Sequence, residues 1–125
     1  MNKKNLIEKI VSIPKDFYEL SNVTTCQLLK KSGYLENQQT TSVEKIRNFL
    51  LENPQYINDW LQYSDDQRCI PAVLFYESKL KKGHYEVSHY SEAKGLELIQ
   101  EFPDPIIACA FYILKMIEKW RLICS

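Results

Sequence analysis

Two histidines, four cysteines and a few neighbouring carboxylates are the side chains of this 125-residue chain that could do chemistry, and their spacing argues against most of it. His84 and His89 stand five residues apart in a stretch rich in β-formers, PAVLFYESKLKKGHYEVSHY. Side chains alternate faces along a strand, so an odd separation sends the two imidazoles to opposite sides, where they share neither a metal nor a proton relay. One imidazole beside a carboxylate such as Glu86 could still serve as a general base. That keeps a histidine and carboxylate enzyme as a minor reading beside the plainer one of structural or surface histidines. Cys26, Cys69, Cys109 and Cys124 form no CxxC pair, which disfavours zinc and thioredoxin-like redox chemistry. Cys26 and Cys109 fall inside apolar helical patterns, where a free thiol behaves as a small hydrophobe. No GxSxG, P-loop, GxGxxG or HExxH occurs, and three glycines are too few for a phosphate-cradling loop. Adjacent acids such as Asp65 and Asp66 read as a solvated helix exit before they read as a hydrolytic dyad. These residues predict no catalytic group, no metal and no cofactor.

Recognition has more support. From Glu52 to Asp66 the chain carries four acids and no Lys or Arg. On a helix Tyr56, Trp60 and Tyr63 form an i, i+4, i+7 stripe, with Ile57 and Leu61 about a quarter-turn away and Asp59 and Asp66 on the opposite flank of the rings. Two readings fit this arrangement. In one, the rings cover the core and the acids solvate the outside. In the other, Ile57 and Leu61 reach the core while the rings lie at its rim, edged by carboxylates, which is the composition of an interface hot spot for a basic partner. The second reading nominates Asp59, Trp60, Tyr63 and Asp66, with Glu77 and Glu86 of the neighbouring hairpin, as partner-binding residues.

The elements that must position these groups are mostly helical. Leu6, Ile7, Ile10 and Val11 predict an amphipathic first helix interrupted by Pro14. Thr24 or Thr25 can cap a helix through Cys26, Leu28 and Leu29 that stops at Gly33. Thr41 and Glu44 fit a capping box for a helix burying Val43, Ile46, Phe49 and Leu50, and Asn53 before Pro54 marks the next helix start. The grammar changes near Arg68. An antiparallel hairpin is expected between about Val73 and Tyr90, turning at Lys82 and Gly83, with Lys79 opposite Glu86 and Tyr76 opposite His89. A three-residue loop over residues 81–83 would reverse the faces. Residues 91–101, SEAKGLELIQE, fit either a strand or a helical turn. Asp104 and Pro105 then open a last helix to about Arg121, uncharged on every side from Ile106 to Leu114 and therefore buried. The expected fold is α+β: one mainly helical domain over residues 1–125, with a late hairpin packed on helices and a buried C-terminal helix. Its predicted centre comprises Phe49, Ile57, Leu61, Phe75, Ile107, Ala110, Phe111 and Leu114.

Sixteen basic and sixteen acidic residues balance, which removes the long-range field that a general nucleic-acid binder uses. Charge is nonetheless segregated. Residues 1–32 hold six Lys against three acids, whereas Glu92 to Asp104 holds four acids against one Lys. The N-terminal stretch MNKKNLIEKIVSIPKDF lacks a secretory apolar core, and no uncharged run approaches a membrane span, so a cytoplasmic protein is expected.

With these elements assembled, the C-terminal half resembles small bacterial immunity proteins, particularly those encoded beside contact-dependent growth-inhibition toxins. The resemblance rests on LFYESKLKKGHYEVSHY followed by FPDPIIACAFYILKMIEKW: an aromatic strand, a glycine turn, a second aromatic strand, then an Asp-Pro helix start with a small-residue segment. It implies a cytoplasmic antitoxin that binds one cognate toxin domain, often a nuclease, and blocks its active site or its access to substrate. No binding residue is carried over from it. A small accessory or regulatory domain that binds another bacterial protein is the alternative of a different class.

Overall fold

A computed structural model describes residues 5–20 and 22–124. Residues 1–4, which include Lys3 and Lys4 of the basic N-terminal face, lie outside the described residues, as do Ser21 and Ser125. The chain runs through α1 (Leu6–Val11), α2 (Ile13–Glu19), α3 (Thr25–Ser32), two short 3-10 turns, α4 (Val43–Glu52) and α5 (Tyr56–Asp65). It continues through β1 (Ala72–Glu77), β2 (Tyr85–Ser91) and β3 (Gly95–Phe102), and closes with α6 (Pro105–Ile123). This is the expected α+β order.

Local chemistry explains most of the helix boundaries. Pro14 stands in the first turn of α2, where its missing N–H costs nothing, so α1 and α2 meet at Ser12. Thr24 and Gln27 cap α3 reciprocally at 3.1 and 2.9 Å, and Gly33 ends it at φ 89°, a left-handed conformation that glycine adopts without strain. Asp104 accepts the N–H groups of Ile106 and Ile107 at 2.9 and 3.0 Å, with Pro105 in the first turn of α6. Two expected caps differ. Ser42 rather than Thr41 caps α4, taking the Lys45 N–H at 3.2 Å. Asn53 donates to the Phe49 carbonyl at 3.0 Å and so closes α4 instead of opening α5.

The sheet differs more. It is three-stranded and antiparallel in the order β1-β2-β3, so the expected hairpin gains a third strand from the segment that read ambiguously. In the hairpin Tyr76 faces Glu86 and Val73 faces His89, which overturns the expected pairs of Lys79 with Glu86 and Tyr76 with His89. Residues 78–84 form the connection. Ser78 Oγ accepts the N–H groups of Leu80 and Lys81 at 3.2 and 3.3 Å, and Glu77 accepts that of Gly83 at 2.9 Å. Beyond Glu77 and Tyr85 one backbone bond continues, from the Ser78 N–H to the His84 carbonyl at 2.8 Å, and these local side-chain bonds then take over in the loop.

One face of the sheet lies on α6, where Phe75 stacks on Tyr112 with ring centroids 5.4 Å apart. The aromatic packing continues through Trp60 to Trp120, 6.0 Å from each other, and Tyr63 meets both tryptophans edge-on. Of the predicted centre, Ile57, Phe75 and Ala110 are buried, while Phe49, Leu61, Ile107, Phe111 and Leu114 pack around it partly exposed. Ile107, Phe111 and Leu114 fall on one i, i+4, i+7 stripe of α6, the stripe turned toward its rim. The opposite positions, including Cys109, Tyr112, Ile113 and Met116, take the centre.

Candidate interaction surface

The six nominated partner-binding residues do not form one site. Trp60 is completely buried, and its indole Nε1–H donates to the Val11 carbonyl at 2.8 Å. It is a core residue, which corrects the reading of the aromatic stripe as a rim. A buried indole needs a partner for its N–H, and the end of α1 supplies one. Asp59, Tyr63 and Asp66 remain along the α5 stripe that turns toward α2. Tyr63 packs edge-on against Phe17 at 6.1 Å, and the Asp66 carboxylate accepts the Tyr18 hydroxyl at 2.6 Å. Partial burial raises the Asp59 carboxyl above its ordinary range, with Lys15 pulling it back and Glu19 pushing it further up. Much of this acidic aromatic edge is thus engaged within the molecule, as a seam between α2 and α5.

Glu77 and Glu86 lie on the hairpin. Glu77 is exposed and holds the loop through Gly83. Glu86 stands between Tyr76 on β1 and Glu101 on β3. The histidines are separated by structure as well as by sequence: His89 sits in β2 opposite Glu97, while His84 precedes the strand and its Nδ1 lies 4.0 Å from Glu101. At that distance the imidazole nitrogen makes no hydrogen bond. Among the described residues no group of three potential ligands is placed to hold a metal ion.

The cysteines depart from expectation. Cys26 and Cys124 are joined in a disulfide, Cα atoms 5.6 Å apart, because the start of α3 and the end of α6 meet in space across a separation of 98 residues. Only a three-dimensional neighbourhood reveals that pairing. Cys109 is free and buried, its thiol pushed far up by desolvation, and Cys69 is free and exposed.

An exposed apolar surface lies on the sheet. Leu96 is 54% exposed, Leu98 57%, Ile99 40% and Tyr90 36%. By register Ala72, Tyr90 and Leu96 form one row across the three strands, and Leu74, Ser88 and Leu98 the next. Tyr76, Glu86 and Glu101 form the third row, so this outer face runs from aliphatic to acidic. The register shift at Val87 and Ser88 leaves Ile99 as an extra residue in β3. Tyr90, Leu96, Leu98 and Ile99 were not nominated from the sequence. The signal available was the alternation Leu96, Glu97, Leu98 after Gly95, which has strand periodicity.

No helix among the described residues is long and apolar enough to cross a membrane. Compared with protein-family models, with curated proteins and with solved structures, the chain matches none.

Proposed function

We propose that this chain is a non-enzymatic binding protein whose docking surface is the outer face and free end of its sheet. In line with its resemblance to immunity proteins of contact-dependent growth-inhibition systems, its partner in this proposal is a cognate toxin domain in the cytoplasm, which it neutralises by covering it. The observation that carries the reading is the exposed Tyr90, Leu96 and Leu98 on that outer face, with Glu86 and Glu101 in the adjoining row and Ile99 exposed at the bulge of the same strand. Exposed apolar side chains gathered on one element mark an interaction site more often than singly scattered ones do. Carboxylates at their border suit a basic protein surface, such as the substrate cleft of a nuclease.

The test is co-expression with the product of the adjacent reading frame. Growth rescue together with stoichiometric co-purification supports the proposal. Stable binding to a neighbouring product that is not toxic supports the accessory-domain reading instead. Loss of protection in His84→Ala or His89→Ala with binding retained points to the histidine and carboxylate enzyme.

A further inference from the structure

The two edges of the sheet are finished differently. The outer edge of β1 is closed by side chains: Ser64 Oγ of α5 accepts the Phe75 N–H at 2.7 Å, while Gln67 Nε2 and the Tyr112 hydroxyl donate to the Val73 carbonyl at 2.7 and 3.0 Å. Val73 and Phe75 therefore turn their backbone groups away from β2. In an antiparallel ladder that alternation propagates, so their partners His89 and Val87 aim theirs at β3, and Leu96 and Leu98 aim theirs outward from the sheet. Among the described residues nothing hydrogen-bonds to those outward groups. Of the devices that blunt an open edge, β3 has no covering element, proline or lysine between Gly95 and Phe102; it has the bulge at Ile99 and charge of one sign only. Its charges are Glu97 and Glu101.

We propose that the outer edge of β3 is a docking site for an extended, Lys- or Arg-bearing strand of the partner protein, which adds a fourth strand to the sheet. This deepens the binding role proposed above and rests on it. The incoming backbone pairs with the N–H and C=O groups of Leu96 and Leu98. Its apolar residues fall on the outer face beside those two leucines and Tyr90, and the basic residues between them fall on the other face opposite Glu97. Charge decides between a partner and a second copy of this chain. The stretch Glu92 to Asp104 carries four acids against Lys94 alone, so pairing with its own copy brings acid against acid, whereas a basic strand is complementary.

The probe is a synthetic peptide of about ten residues alternating Lys with Val, long enough for an ordinary strand. A Glu-Val counterpart and a peptide copying residues 95–102 serve as controls, all added to the intact protein and followed by amide hydrogen exchange. The Lys-Val peptide is expected to slow exchange at Leu96 and Leu98 about tenfold or more, and the Glu-Val peptide to leave it unchanged. Leu98→Pro removes an N–H that β2 does not use, so it is expected to fold and to abolish the protection. Should that variant unfold, Leu98→Lys keeps the backbone and repels a basic strand, and is expected to weaken peptide binding about tenfold. Unchanged exchange at both leucines overturns the inference, as does equal protection by the Glu-Val peptide. Stronger protection by the 95–102 copy overturns it in favour of self-association. Toxin neutralisation by Leu98→Pro at the wild-type level removes the edge inference and leaves the immunity reading standing. Edge protection by the Lys-Val peptide without any toxin neutralisation does the reverse.

Discussion

Trp60 is buried because its indole N–H has a partner in the Val11 carbonyl and its ring has Trp120 stacked on it and Tyr112 edge-on to it. Trp60→Ala is expected to destabilise the fold by about 3–5 kcal/mol through the cavity it leaves. Phe111 is only partly buried, and Phe111→Ala should cost less, about 1–2 kcal/mol by area. Chemical denaturation of both variants checks the order. The stripe Tyr56, Trp60, Tyr63 was legible in the sequence; its direction was not, because the deciding acceptor lies 49 residues away on α1. The same holds for Glu118, which Arg121 grips through two nitrogens at 3.0 and 3.1 Å and to which the buried Tyr34 donates its hydroxyl. The Arg121 bonds, helped by Tyr34 and opposed by burial, hold the Glu118 carboxyl below its ordinary value of 4.5. A depressed folded pKa means that the unfolded chain binds the proton more tightly. The stabilisation is therefore fully present above about 4.5 and is lost as pH falls through the folded value. Tyr34→Phe is expected to cost about 1 kcal/mol at neutral pH, the scale of a partly exposed charged hydrogen bond, and the gap to wild type should narrow in acid.

Among the elements, the pair α5 and β1 shows how a helix can finish a sheet. Ser64 Oγ is the acceptor for the buried Phe75 N–H, so Ser64→Ala strands that donor and is expected to cost about 1–3 kcal/mol. Faster exchange of the Phe75 amide with the rest of the sheet unchanged would show that the loss is local. Helices were the legible part of this fold, since apolar periodicity together with Thr24, Gly33, Asp104 and Pro105 marks both where they begin and where they end. Strand pairing was less so. Gly83 does adopt the positive φ expected of it, at 85°, but Ser78 and Glu77 bind the loop backbone and end the ladder early. Register depends on such local competition, which hydrophobic alternation does not encode. β3 escaped assignment for a related reason: its leucines are exposed, so its pattern lacks the buried face by which strands are usually recognised.

For the molecule as a whole, two long-range features carry consequences. The Cys26–Cys124 disulfide ties α3 to the end of α6 and closes a loop spanning 98 residues. In the chain-entropy picture its reduction is expected to lower stability by about 4–5 kcal/mol, measured as the denaturation midpoint with and without reductant. Native alkylation followed by mass spectrometry should label Cys69 alone, because Cys109 is buried. The second feature is charge, which sums to zero while acids outnumber lysines four to one from Glu92 to Asp104 and stand four to none against Lys and Arg from Glu52 to Asp66. A neutral protein steers a partner through local fields, and these act only where the carboxylates are free to meet it. Asp66 is held by Tyr18 and Asp59 sits at the α2 seam beside Lys15, whereas Glu97 is exposed beside the open edge. Glu97→Lys with Glu101→Lys is therefore expected to lower the association rate of the Lys-Val peptide about tenfold at low salt. That effect should fade as the screening length falls from about 30 Å at 0.01 M to about 8 Å at 0.15 M. Asp59→Lys with Asp66→Lys is expected to have a smaller effect on the rate, since those carboxylates belong to the α5 seam with Tyr18 and Lys15 and not to the sheet edge. Stopped-flow association across a salt series separates the two pairs, and a larger effect from the α5 pair would move the docking surface from the sheet edge to the seam between α2 and α5.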